Sequence, residues 1–159
     1  MATTASHIWI PSSARTVQLD SFVPVARGST AIAPAPLNWA AKDPADTLDF
    51  QFDISPALVG NDGDRIATLD VSISPSLPGD LALVSAAADG ATAVMWFSNG
   101  VAGTTYAVTV AITTTNGRAV QRTILLPVLP LSTPPVPSNA VQVASNAVLT
   151  DQNGNPILV

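Results

Sequence analysis

Histidine and cysteine carry most nucleophilic and metal chemistry near neutral pH, and this chain has one histidine, His7, and no cysteine. Thiolate nucleophiles, disulfides and thiolate metal sites are therefore excluded. His7 stands among apolar and small residues with no Ser–Asp motif beside it, and no Gly-x-Ser-x-Gly elbow or paired-histidine metal motif occurs. Two acidic groups remain. The loop Asn61-Asp-Gly-Asp64 carries side-chain oxygens that suit a hard cation. It lacks the length and the terminal Glu of an EF-hand loop, so it reads as an Asx-rich turn. Asp49 and Asp53 share one face of an alternating segment, with Gln51 between them. A glycosidase-like carboxylate pair would need a cleft and a raised pKa on one member, and the pattern reads instead as a solvated polar face. No catalytic, cofactor-binding or metal-ligating residue is assigned, and the expectation is a protein that is not an enzyme and needs no cofactor.

The large apolar side chains point elsewhere. Trp96, between Met95 and Phe97, suits the core tryptophan of a β-sandwich. Trp39 stands where a proline-rich segment meets a regular one, a place from which it could fix that segment or anchor an interface. Exposed tryptophans also stack on sugars, so carbohydrate binding is an alternative. The interface candidates are Ile8, Trp9, Ile10, Phe22, Trp39, Val148, Ile157 and Leu158.

Composition supports an assembled protein. Hydrophobic residues make up 47% and charged residues only 11%, where about 25% is usual. A base-composition bias toward Ala and Pro is one reading. The other is a surface covered by neighbouring subunits, because interface cores are depleted in charge. The net charge of -5 and the absence of a basic stripe argue against direct nucleic-acid binding, and none is expected. The first residues show no basic region followed by an apolar one, and no run approaches the roughly eighteen apolar residues of a spanning helix. No membrane contact is expected.

Three changes of composition divide the chain. Residues 1–40 hold Pro11, Pro24, Pro34 and Pro36, which block long helices and central strands. They read as an extended docking arm with short strands at His7–Ile10 and Thr16–Leu19. Residues 41–128 carry alternating segments at Leu48–Ile54, Ile66–Ile73, Leu81–Ala86 and Thr92–Phe97, followed by a final hairpin. About six or seven short strands, with turn signals every ten residues or so, predict an immunoglobulin-like β-sandwich. Residues 129–138 are a proline-rich linker. Residues 139–159 read as a hairpin or added strand too short for a core of its own.

The hairpin can be set in register by parity. A two-residue turn at Asn116-Gly117 would set Ile112 opposite Gln121 and mix the faces. A loop of Thr115-Asn-Gly117 instead sets Ile112 against Val120, Val108 against Ile124 and Tyr106 against Leu126, with Gly117 left-handed. Arg122 then falls on the apolar face opposite Val110, where an unpaired charge is costly. A carboxylate partner at the sandwich edge is expected.

The stretch Trp39-Ala-Ala-Lys-Asp-Pro-Ala-Asp-Thr-Leu-Asp-Phe-Gln-Phe-Asp53 resembles the opening of a family of small tailed-bacteriophage virion proteins of the fibre-tail adaptor type. Gly63-Asp-Arg-Ile66 resembles its second block, Phe97-Ser-Asn-Gly100 with Ala102-Gly-Thr-Thr-Tyr106 its third, and Ile112-Thr-Thr-Thr-Asn-Gly-Arg118 with Gln121-Arg122 its last. The chain departs at Leu69-Asp-Val71, where the family often has a tryptophan, and in the added arm and tail. The resemblance implies a structural virion protein with an immunoglobulin-like domain and no catalysis, linking tail or neck to fibres. The arms and added strands would contact other virion proteins, with several copies in a symmetric assembly. Capsid decoration or a head spike is the alternative within the virion.

Overall fold

The computed structural model describes residues 12–19, 28, 35–60, 62–132, 139–142 and 148–158. A 3-10 turn at Ser13–Arg15 leads into β1 (Thr16–Gln18), and β2 (Leu37–Asn38) follows. Then come β3 (Leu48–Asp53), a single helical turn α1 (Ser55–Leu58), β4 (Ile66–Ser74), β5 (Ala82–Asp89), β6 (Thr92–Ser98), β7 (Thr104–Thr114) and β8 (Ala119–Val128). The strand expected at Leu81–Ala86 falls on β5.

Two four-stranded sheets form, in the orders β1-β3-β6-β5 and β2-β8-β7-β4. The chain crosses between them after β1, β2, β3, β4 and β6, and turns back within a sheet at β5–β6 and β7–β8. With β3 taken as strand B, these orders are the A-B-E-D and G-F-C orders of the immunoglobulin sandwich. One detail departs from a wholly antiparallel arrangement. Both β1 and β2 run parallel to their neighbours, β1 on β3 and β2 on β8.

The core follows from the alternation. Phe50, Phe52, Met95, Phe97 and Ala93 face inward from one sheet, and Tyr106, Val108, Val110, Ile124, Leu126 and Val128 from the other, all buried. Each large apolar side chain so buried contributes about 1.5–3 kcal/mol. The hairpin has the register that parity predicts: Tyr106 faces Leu126, Val108 faces Ile124 and Ile112 faces Val120. Gly117 has φ 84° and donates to the Thr114 carbonyl at 3.0 Å. Arg122 lies opposite Val110, half-buried, and its Nη1 donates to the Gln121 carbonyl at 2.8 Å.

Tyr106, near the start of β7, pins the corner where the chain enters that strand. Its hydroxyl accepts from the Val101 N–H at 2.9 Å and donates to Asp80 Oδ1 at 2.7 Å. A hydroxyl bonded to backbone a few residues upstream at this position is the tyrosine corner of such sandwiches. Burial pushes the Tyr106 hydroxyl above its ordinary pKa, and the Asp80 carboxylate adds to the shift. Gly100 has φ 106°, and a Cβ there would come within 2.9 Å of Val128 Cγ2, so the corner needs glycine.

Two expectations are corrected. Trp96 is not a core residue and is 39% exposed. Met95 pairs with Phe50 and Phe97 with Leu48, which commits the neighbours of Trp96 to the interior and turns the indole outward. Asp49 and Gln51 are not a solvated face; both are buried, because the chain before β2 folds back beside them.

Candidate functional site

The acidic groups are occupied by the protein's own donors. Asp64 Oδ2 accepts from the Thr114 hydroxyl at 2.9 Å, while Oδ1 accepts from the Thr115 hydroxyl at 2.9 Å and the Asn116 and Arg65 N–H groups at 3.0 Å. Burial pushes the Asp64 carboxyl up, but the Thr115 and Thr114 hydroxyls with the Asn116 and Arg65 N–H groups outweigh it and hold the pKa below the usual carboxylate range. This carboxylate clamps the β7–β8 turn. Asp53 accepts from the Ser55 N–H at 2.8 Å and from Gln18 Nε2 at 3.0 Å. Asp49 pairs with Arg15 at 3.0 Å and accepts from Gln51 Nε2. Among the described residues no group of three or more His, Cys, Asp or Glu is placed to hold a metal ion. His7 lies outside the described residues.

With the acidic groups built into the scaffold, the features that remain to be described are the sheet edges. On one side β1 and β2 border the two sheets, and the chain closes the gap between them. Trp39 does most of this. Its backbone N–H continues the β2–β8 pairing to the Leu125 carbonyl at 3.0 Å, while its indole Nε1 reaches across to the Gln51 carbonyl on β3 at 2.9 Å. The ring, only 3% exposed, packs on Phe50 and Phe97 with centroids 5.5 and 6.0 Å away. Arg15 adds a bond from Nε to the Asp49 carbonyl at 2.7 Å, and the Thr16 hydroxyl lies 2.7 Å from Gln51 Oε1.

Lys42 and Asp43 complete this side. Lys42 is fully buried, and its ammonium donates to the Asp43 and Asn99 carbonyls at 2.7 Å each. Burial lowers the lysine pKa, with Asp46 and Asp43 pulling it back up. Asp43 accepts from the Ala45 N–H at 2.9 Å and from both the N–H and the hydroxyl of Ser132 at 2.8 Å, which ties the start of the proline-rich linker to the sandwich. The Ala45 N–H and the Ser132 donors keep the Asp43 carboxyl below its ordinary pKa.

The other side carries β4 and β5 side by side, and among the described residues neither has a second strand neighbour. β5 is exposed along nearly its whole length, with Leu83 37% and Val84 59% exposed. Ala86 and Ala88 stand opposite Met95 and Ala93, so they face the interior, yet both are exposed. Across the rim Leu69, Val71 and Ile73 of β4 face inward and are half-buried. β5 carries no charge before Asp89 and no proline, two devices that usually blunt an edge strand. Its one irregularity is the register shift between Leu83 and Ser85. Exposed Trp96 lies opposite Ser85, on the outer face beside this edge.

The remaining site candidates fall in two places. Ile8, Trp9, Ile10 and Phe22 lie outside the described residues. Val148, Ile157 and Leu158 belong to a small three-sided unit bridged at Gln142–Val148, Thr150–Pro156 and Ala140–Leu158. The Val141 N–H donates to the Ile157 carbonyl, Ile157 to Leu149 and Leu149 to Val141, at 2.8–2.9 Å. Val148 is half-buried, and Ile157 and Leu158 are exposed. Sequence reasoning missed the β5 edge, although its charge-free run Leu81–Ala88 was the available signal.

No curated protein matches the chain. A family model does, that of the podophage GP4 fiber-tail adaptor protein gp77, over residues 42–127, which runs from the buried lysine at the start of the sandwich to the end of β8. That match spans more than half of the sequence, and the chain belongs to this family of phage fibre-tail adaptor proteins, components of the virion.

Proposed function

We propose that the chain is a non-enzymatic adaptor that joins the phage tail to its fibres, holding its neighbours by strand addition and extended segments, with several copies in a symmetric assembly. The observation that carries the reading is the family match over 42–127, covering β3 to β8. The structure supports it physically. The acidic clusters are consumed in turns and closures, whereas the longest uncovered feature is a strand edge, which binds extended peptide through main-chain hydrogen bonds. The family's description concerns a tail adaptor and favours that position over capsid decoration.

The test is assembly without the protein. Particles made in its absence should carry tails that lack fibres, and purified chain should restore fibre attachment in electron micrographs. Particles that attach fibres normally without it would refute the adaptor reading.

A further inference from the structure

We infer that the edge of β5, which no described strand pairs, accepts the segment His7-Ile-Trp-Ile10 of a second copy of this chain, so that copies join head to tail. This inference rests on the adaptor reading and names where one of its contacts falls. The acceptor is a strand edge and an incompletely covered core together. Ala86 and Ala88 face the interior and are exposed, and Leu69, Val71 and Ile73 across the rim are only half-buried. An added strand would pair with β5 and place alternate side chains over that rim.

The donor segment has the matching alternation. In an extended conformation Ile8 and Ile10 share one face, and Trp9 takes the other. The isoleucines would cover the small Ala86 and Ala88, and Trp9 would lie on the outer face that exposed Trp96 occupies. No charged residue stands in the segment or in β5 before Asp89, so pairing buries no uncompensated charge.

Reach decides that the acceptor belongs to another copy. The described chain begins at Ser12, beside β1 on the closed side: the Ala14 carbonyl accepts from the Ala40 N–H at 3.2 Å, and Arg15 is held by Asp49. The residues from Ile8 to Ser12 span at most ~14 Å. The vacant position beyond β5 lies about four strand steps from β1, roughly 19 Å away. A segment leaving the closed side of one molecule can instead meet the open side of the next. Donor and acceptor on opposite sides make a heterologous contact, which closes into a ring or runs on as a filament.

Sedimentation velocity of the full chain over a concentration series tests this. The chain should associate, and Ile10→Asp or Ala87→Asp should each leave monomers with unchanged circular dichroism. Mixing the two variants should restore one contact and give dimers that grow no further, because one variant keeps the donor and the other the acceptor. Since the chain has no native cysteine, Trp9→Cys with Ala87→Cys, which share the outer face, should also oxidise to covalent multimers, while Trp9→Cys with Gln121→Cys on the outer face of β8 should not. A chain that stays monomeric and yields no cross-links overturns the inference. If that monomer still restores fibre attachment, the adaptor reading survives alone; if it does not, both fail. Loss of fibre attachment on Ala87→Asp in a chain that never self-associates would assign the edge to a different protein and likewise overturn the second-copy donor.

Discussion

The two sides of the sandwich solve the same problem in opposite ways. Every sheet ends in strands with unpaired N–H and C=O groups. On the β1/β2 side the chain covers those groups with its own residues: two short parallel strands, the Arg15–Asp49 pair and an indole that spans the sheets. On the β4/β5 side, among the described residues, a charge-free strand stands bare over an incompletely covered core. Under the proposed adaptor reading, the difference separates stability from assembly. One side holds the fold, and the other is available to a neighbour.

Substitutions should separate the two sides. The largest effect is expected from Trp39→Ala, which removes a buried indole and its bond to Gln51. It should cost about 3–5 kcal/mol in chemical denaturation, and a loss below 1 kcal/mol would show that the closed side is held by something else.

Acid should loosen the scaffold next, at the Asp43 closure and at the β7–β8 turn that Asp64 clamps. The folded-state pKa values of Asp43 and Asp64 are held low. Their stabilisation is therefore present above the unfolded carboxylate value of about 3.9 and is lost as pH falls through the folded values. The urea midpoint should drop below pH ~4, and Asp64→Asn should show a shallower drop than the native chain. Equal pH profiles would remove Asp64 from the account.

The smallest effect is expected at Val84→Lys. An exposed position on a bare edge should change stability by no more than about 0.5 kcal/mol. A large loss would mean that β5 is already engaged within the monomer.

How much was legible in sequence differs between these regions for a physical reason. The β7–β8 register could be read from parity because both strands alternate and one turn joins them, so a slip exposes a whole face. The resemblance of Trp39–Asp53 and the later blocks points to the adaptor family from sequence alone. The place of Trp39 at the junction is legible, but its partners Phe50, Phe97 and the Gln51 carbonyl are not, because only the fold brings them to it. Asp49 and Gln51 looked solvated for the same reason, since Arg15 and Thr16 cover them from far away in sequence. Trp96 was misassigned because a tryptophan flanked by Met95 and Phe97 satisfies either orientation, and the pairing of Met95 with Phe50 decided it.

Hydrogen exchange, read in the free chain and in the chain assembled on tails, tests the division of labour most directly. The account predicts that protection rises across Ala82–Asp89 on assembly, while β3, β8 and the segment around Trp39 are already protected in the free chain and change little. Unchanged exchange at Ala82–Asp89, with new protection at β1 and β2 instead, would contradict it.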